Sequence, residues 1–258
     1  QVPFDMAAQT ATATRAILQH HFDEYLQYGG FPEGAHLQSK RDYLMSVYQK
    51  IYLGDIAARH RIENSFALRF LFKKLSESIM QPMSFTRLTN LITSTGSKIS
   101  KATVINYMDY AKEAYLIFPI KNISSHLSER ESNPKYYFVD NGIISLLTLN
   151  AESALLENTV AMELLRRYGQ ENQVFFYNEK VEVDFYIPET TTAIQVCLYP
   201  HESDETWRRE TEALIRFSKH LPCSQCLLIT MNDEETLTVD GVTIQLIPAW
   251  KWLIASPR

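Results

Sequence analysis

The chain has 258 residues, of which 45% are hydrophobic and 21% are charged, and its formal net charge is −5 at pH 7. This composition excludes the disordered and fibrous classes, and the acidic balance argues against a surface coated with positive charge for wrapping nucleic acid or anionic membrane. The longest apolar runs are too short to cross a bilayer, so we expect a cytoplasmic protein with no membrane partner.

The first part of the chain, residues 1–60, is predicted to be a helical linker or lid. A helical pattern over residues 22–28 stops at Gly29 and Gly30, and Pro32 follows, which is typical of a helix end and a turn. An amphipathic helix is expected over residues 40–59, with a break near Gly54. Because the chain starts with glutamine and contains no G-x-x-x-x-G-K-[ST] loop, we expect it to be a piece of a longer protein.

Residues 61–139 are predicted to form a winged helix-turn-helix. A core-facing helix over residues 66–79 is followed by a short helix after Ser84, a polar turn, and a second helix after Ser100. Residues 116–121 and 135–139 are typical of extended structure and would supply a two-stranded wing.

Four polar side chains of this region are candidates for binding DNA: Lys98, Lys101, Asn106 and Lys112. Lysine contacts to phosphates give affinity without sequence preference. The basic face is thin, because Asp109 lies beside it, and winged helices also contact proteins. Duplex DNA and a protein partner therefore both stay open.

Residues 140–258 are predicted to form an α/β domain with a mixed sheet. The patterns predict a helix over residues 152–168, a hairpin of residues 174–177 and 181–187, a strand over residues 192–198, a helix over residues 205–220, and strands over residues 226–231 and 242–247. This order of elements predicts helices packed against a sheet.

The main chemical candidates of this domain are acids in apolar surroundings. Alternation along the second hairpin strand sends Val183 to one face and both Glu182 and Asp184 to the other. Gln195 on the next strand could lie near Asp184, and Glu157 on the preceding helix could point to the same place. A solvated polar face of a half-exposed sheet is the alternative interpretation.

Seven short segments resemble, in order, the carboxy-terminal part of prokaryotic AAA-type P-loop ATPases, the part known as domain of unknown function 4143 (DUF4143). The segments are residues 28–33 (YGGFPE), 53–56 (LGDI), 135–142 (KYYFVDNG), 156–158 (LEN), 182–185 (EVDF), 194–196 (IQV) and 209–214 (RETEAL). The resemblance implies a partner ATPase domain, with its ATP and Mg²⁺, outside this chain, and no cofactor within it.

The resemblance also implies a fold similar to the PD-(D/E)XK nucleases, in which a helix acid, a strand aspartate and an acid-x-lysine pair hold Mg²⁺. Glu157, Asp184 and Gln195 correspond to the first three positions, which makes them the candidate catalytic residues of a degenerate site. Cys197 stands where the motif needs lysine, and neutral Gln195 stands where it prefers an acid. Glu157 and Asp184 are the metal candidates, and any Mg²⁺ should bind weakly.

Cys223 and Cys226 have the spacing of half a zinc site, with His220 as a third candidate ligand. Zinc needs four ligands, so a pair of reduced thiols at the start of a strand is the favoured interpretation.

The leading hypothesis is a non-catalytic region of a P-loop ATPase that binds DNA or a protein through the winged helix and the degenerate nuclease-like domain. A Mg²⁺-dependent nuclease using Glu157, Asp184 and Gln195 is the first alternative. A scaffold that serves only protein interactions is the second.

Overall fold

The computed structural model describes residues 12–123, 130, 133–169 and 173–255, so residues 1–11 of the predicted linker lie outside it. The helices of the amino-terminal half are α1 (Thr12–Tyr28), α2 (Lys40–Gln49) with its π-helical continuation (Lys50–Ala58), α3 (Ser65–Ser76), α4 (Phe85–Ser94) and α5 (Lys101–Glu113). The following elements are β1 (Ile117–Asn122), β2 (Lys135–Phe138), α6 (Asn141–Leu147), α7 (Glu152–Tyr168), β3 (Phe175–Asn178), β4 (Glu182–Ile187) and β5 (Thr192–Val196). The last elements are α8 (Asp204–Ser218), β6 (Gln225–Thr230), β7 (Glu235–Val239), β8 (Val242–Pro248) and α9 (Ala249–Ile254). The predicted class, mixed α/β with helices first and a mixed sheet after them, is confirmed.

The helices begin where capping residues were expected. The Ser84 hydroxyl accepts the backbone N–H of Arg87, and the Ser100 hydroxyl accepts that of Thr103, so α4 and α5 both have side-chain N-caps. The predicted break near Gly54 is wrong: the helix continues as a wider π-helical turn, in which the i→i+5 pattern accommodates the glycine without ending the helix.

Within the described residues, eight strands form one sheet in the order β2-β1-β3-β4-β5-β6-β8-β7. β1 and β2 pair antiparallel, as expected for a wing. They are not a free wing, however, because β1 also pairs parallel with β3, with Lys121 opposite Phe175. The two strands therefore form one edge of the main sheet. β7 at the other edge was not predicted, and its mostly exposed residues explain the weak apolar signal.

The sheet is covered on both faces. One cluster of buried side chains joins the amino-terminal helices and α7 to one face, and it includes Phe72, Tyr137, Phe185 and Ile229. A second cluster packs α8 on the other face, centred on Phe217. The first cluster runs without interruption across the boundary suggested between residues 139 and 140, and the division of the chain into three domains stays a prediction.

β4 contains an irregularity that changes the direction of its side chains. The β3–β4 register shifts between Phe175, which faces Tyr186, and Tyr177, which faces Val183. Val183 therefore packs in the cluster under α8, whereas Phe185 packs on the opposite face. The strict alternation expected for this strand is wrong here, because the bulge inserts an extra residue beside Asp184.

Asp140 connects the end of α1 to the start of α6. Its Oδ2 accepts the backbone N–H of Gly30 at 2.7 Å, and its Oδ1 accepts that of Gly142 at 2.8 Å. Gly29 has φ +77°, and a Cβ there would lie 1.8 Å from Asp140 Oδ1, so the close approach requires glycine. Burial raises the pKa of Asp140 to about 6, although both backbone hydrogen bonds favour its charged form.

None of the described helices has both the length and the apolar character needed to span a membrane.

Candidate functional site

The structure brings together the three polar residues that the sequence singled out. Glu157 lies on α7, Asp184 on β4 and Gln195 on β5, and all three line a cavity of about 540 Å³. The backbone N–H of Asp184 donates to Gln195 Oε1 at 3.2 Å. Glu157 and Asp184 meet through a third residue, Lys135.

Lys135, the first residue of β2, places its ammonium among three carboxylates. Its Nζ lies 3.4 Å from Glu157 Oε1, 3.1 Å from Glu182 Oε1 and 3.3 Å from Asp184 Oδ1. The Lys135 side chain is 0% exposed, whereas that of Glu182 is 47% exposed. Lys135 therefore connects the edge strand β2 to the acids of α7 and β4.

The carboxylates keep Lys135 charged despite its burial. Burial by itself lowers the pKa of Lys135, but the negative charges of Glu157, Asp184 and Glu182 outweigh it and raise the pKa above its usual value. A buried lysine with no such partners would tend to lose its proton. The ammonium is thus a fixed positive charge inside the acidic site.

Glu157 is the most deeply buried acid of the site. Burial raises its pKa to about 7, nearby Asp184 adds to the rise, and Lys135 opposes it. The Tyr137 hydroxyl donates to Glu157 Oε1 at 2.7 Å, and burial raises the pKa of that hydroxyl well above its usual range. Glu157 Oε2 is buried and has no hydrogen-bond partner among the described residues.

The site does not fit a magnesium ion in this arrangement. Asp184 Oδ1 contacts Lys135, and Asp184 Oδ2 accepts the backbone N–H of Val196 at 3.0 Å, so both oxygens are engaged. Within the part of the chain that the structure describes, no group of three or more His, Cys, Asp and Glu residues could hold a metal ion. Mg²⁺ requires several oxygen ligands in near-octahedral geometry, which an ammonium at the centre of the acids prevents.

Residues of α8 line part of the cavity. Arg209 contacts Glu210 Oε1 at 2.5 Å, and Arg216 contacts Glu212 Oε2 at 2.6 Å. Burial raises the pKa of Glu210, while Arg209 lowers it. Cys197, at the position where a lysine was sought, is half-buried, and burial raises its pKa to about 11, which leaves it a neutral thiol at pH 7.

The four DNA-binding candidates differ in their surroundings. Lys98, Lys101 and Asn106 are exposed, and Lys101 is the first residue of α5. Lys112 is half-buried, and its Nζ lies 2.6 Å from Asp109 Oδ1, so its charge is offset locally. The exposed positive charge of this helix is therefore concentrated at its amino-terminal end.

Sequence reasoning missed Lys135 and Tyr137 as members of the site. The available signal was a lysine at the first position of a short strand whose other residues are aromatic. A charged side chain in such apolar surroundings needs a partner. Its partners lie 22 and 49 residues further along the chain, and nothing local identifies them.

The family model that matches the chain is described as "Domain of unknown function (DUF8612)" and covers residues 19–154. The chain is 33% identical to the uncharacterized protein MJ1544 of Methanocaldococcus jannaschii over 263 residues, which is 96% of this chain and 59% of that protein. It is 26% identical to an uncharacterized protein of Haemophilus influenzae over 250 residues, 94% of this chain and 60% of that protein. The chain thus spans about three-fifths of the length of these two relatives.

The assignment to DUF4143 and to the carboxy-terminal part of AAA-type ATPases is wrong, because the matching family model is DUF8612. The expected ATPase partner domain, with its ATP and Mg²⁺, loses its basis with that assignment. Several of the segments that suggested it have structural roles: Gly29 and Asp140 join two helices, and Asn158 caps the backbone of β2. Short segments with such structural roles do not by themselves identify one family.

Proposed function

The chain belongs to the DUF8612 family, and we propose that it is a non-hydrolytic, cytoplasmic module that binds duplex DNA and has a nuclease-like acidic site. In that site the ammonium of Lys135 stands in place of a divalent metal ion. The observation that carries the proposal is the position of Lys135 Nζ, within 3.4 Å of Glu157, Glu182 and Asp184.

The nuclease-like character rests on topology and on the position of the acids. The elements from α7 to β6 follow the order helix, three antiparallel strands, helix, strand, and β6 pairs parallel with β5. Glu157 on α7, Asp184 on β4 and Gln195 on β5 line one cavity, which supports the proposal. Lys135 neutralises part of their negative charge from outside the unit, and a metal ion would be repelled by its ammonium.

The DNA-binding part of the proposal rests on the amino-terminal end of α5. Lys98 and Lys101 are exposed there, and neither makes an ion pair with any residue in the described ranges. The unpaired N–H groups and the dipole of a helix start also favour phosphate. Asn106, one and a half turns further on, is the exposed side chain that could contact a base edge.

We expect the exchange of both Lys98 and Lys101 for glutamate to weaken duplex DNA binding by about tenfold or more at low salt. Each lost phosphate contact should also reduce the slope of log K against log salt by about 0.9. Fluorescence anisotropy with a labelled duplex, titrated at several salt concentrations, measures both effects.

The matched control exchanges Lys180 and Lys219, two exposed lysines of the sheet-bearing half, for glutamate and changes the net charge equally. Equal weakening by both double exchanges, or no binding by the unaltered chain at low salt, would contradict the DNA proposal and favour protein recognition.

A Mg²⁺-dependent nuclease is the second candidate, and one observation favours it. Lys135 supplies an amine beside Asp184 and Glu157. The nuclease motif has a lysine amine where this chain has Cys197. In such an enzyme the lysine would move aside when metal and DNA bind, and its amine would then act on the attacking water.

Cleavage assays distinguish these two candidates. We expect the chain to leave plasmid and single-stranded DNA intact with Mg²⁺ or Mn²⁺, and neither metal to change its melting temperature. Metal-dependent cleavage that disappears in Asp184→Ala and persists in Glu189→Ala, an exposed acid on the turn after β4, would establish the nuclease instead.

A further inference from the structure

Two cysteines meet at the start of β6, on the part of the sheet that α8 covers. The Sγ atoms of Cys223 and Cys226 are 3.3 Å apart. Cys223 is half-buried and lies in the loop before the strand, whereas Cys226 is buried within the strand and faces Ala193 of β5. One thiol is therefore accessible and the other lies directly behind it.

These thiols are not part of a zinc site. His220, the third candidate ligand, does not join them in any group of three or more metal-binding residues within the described chain. A structural zinc ion needs four ligands. The chemistry open to the pair is therefore that of two neighbouring thiols.

We propose that Cys223 and Cys226 form a reversible dithiol–disulfide exchange site for small-molecule disulfides, in which Cys223 attacks and Cys226 resolves. The C-x-x-C spacing, the short Sγ–Sγ distance and the different accessibility of the two thiols carry this proposal.

The electrostatics of the pair assign the same roles. The hydrogen bond from the Cys226 thiol lowers the pKa of Cys223 to about 7; a backbone hydrogen bond at Ala193 acts in the same direction and burial opposes it. The same contact raises the pKa of Cys226 above its usual value, and burial adds to the rise. A substantial part of Cys223 is thus thiolate at pH 7, which is the nucleophilic form.

The reaction balances with a disulfide as the oxidant. The Cys223 thiolate attacks one sulfur of RSSR, forms a mixed disulfide Cys223–S–S–R and releases one RS⁻, which takes up a proton. Cys226 then loses its proton and attacks Cys223 Sγ, which forms the Cys223–Cys226 disulfide and releases the second RS⁻ as RSH. Two electrons pass from the two thiols to RSSR, and two RSH molecules result.

The local structure permits the bond to form. A disulfide needs the sulfurs at about 2.05 Å, so they must approach by roughly 1.3 Å. Cys223 and Ser224 precede the first residue of β6, Gln225, and lie outside regular secondary structure. A rotation in this loop moves Cys223 without breaking the pairing of β6 with its neighbours.

The test uses the complete chain in buffers of reduced and oxidised glutathione, followed by acid quenching, alkylation of free thiols and mass spectrometry of peptides. We expect Cys223 and Cys226 to oxidise together to one intramolecular disulfide. Cys197 is the internal control, because burial raises its pKa to about 11. At pH 7 iodoacetamide should alkylate Cys223 at least about tenfold faster than Cys197.

Two variants test the assigned roles. Cys226→Ser should stop at a mixed disulfide of Cys223 with one glutathione, whereas Cys223→Ser should form neither the disulfide nor the adduct. The proposal is overturned if oxidised glutathione leaves both thiols free, if each cysteine acquires its own glutathione in the unaltered chain, or if Cys226→Ser accumulates no adduct.

Discussion

Replacing Lys135 with methionine is expected to lower the free energy of unfolding by about 3–5 kcal/mol, because it leaves the acids of the site without their counter-charge. Lys135 is fully buried and contacts Glu157, Glu182 and Asp184. Methionine matches its length but carries no charge. Chemical denaturation at pH 8, analysed as a two-state transition, measures the loss.

The loss should depend on pH in a defined direction. Without Lys135, which lowers it, the pKa of Glu157 in the folded state rises further above its unfolded value. An acid whose pKa is raised by folding binds its proton more tightly in the folded state, so the fold gains stability as pH falls. The deficit of Lys135→Met should therefore be larger at pH 8 than at pH 5.

Two further variants make this prediction specific. Lys98→Met removes an exposed lysine and should change stability by no more than about 0.5 kcal/mol. Adding Glu157→Gln and Asp184→Asn to Lys135→Met should restore part of the loss, since it removes the unpaired acids. A loss below about 1 kcal/mol in Lys135→Met, or no recovery in the triple variant, would show that the acids are not held together by this ammonium.

Asn158→Leu is expected to lower the free energy of unfolding by a similar amount, about 3–5 kcal/mol. The Asn158 amide accepts the backbone N–H of Phe138 at 2.8 Å and donates to the Phe138 carbonyl and to Asn141 Oδ1, both at 2.9 Å. Leucine has a similar volume but leaves three buried polar groups without partners, and each costs about 1–3 kcal/mol. Urea denaturation measures the change.

Asn106→Leu is the matched control, because Asn106 is exposed on α5, and its loss should stay within about 0.5 kcal/mol. Asn158→Asp tests the donor role: a carboxylate can accept from Phe138 but cannot donate, so this variant should be less stable at pH 8 than at pH 5, where a protonated carboxyl can donate. A neutral effect of Asn158→Leu would mean that β2 does not depend on this side chain.

The contacts of Asn158 and Lys135 attach β2 to α7. Asn158 of α7 bonds the backbone at the end of β2, and Glu157, its neighbour on α7, contacts Lys135 at the start of the strand. The two adjacent residues thus hold both ends of a four-residue strand. A strand that was expected to be a wing is instead attached to α7 and, through β1, to the main sheet.

The sequence by itself determined most of the elements, because their signals are local. Apolar spacing and the serine caps predicted the helices from residue 65 to residue 113, and the apolar runs predicted β3 to β6 and β8. The alternation of helices and strands was enough for the mixed α/β class. The Cys223–Cys226 pair could also be recognised from the sequence, since only two residues lie between the two cysteines.

The tertiary structure alone decided which elements meet and what the acidic site contains. The sequence suggested that Glu157, Asp184 and Gln195 would converge, but not that Lys135 would lie between Glu157 and Asp184, because these partners are up to 49 residues away. The bulge beside Asp184 and the pairing of β1 with β3 likewise depend on strand register. Register and strand order are set by packing between residues that are distant in the chain, and such contacts leave no periodic signal in the sequence.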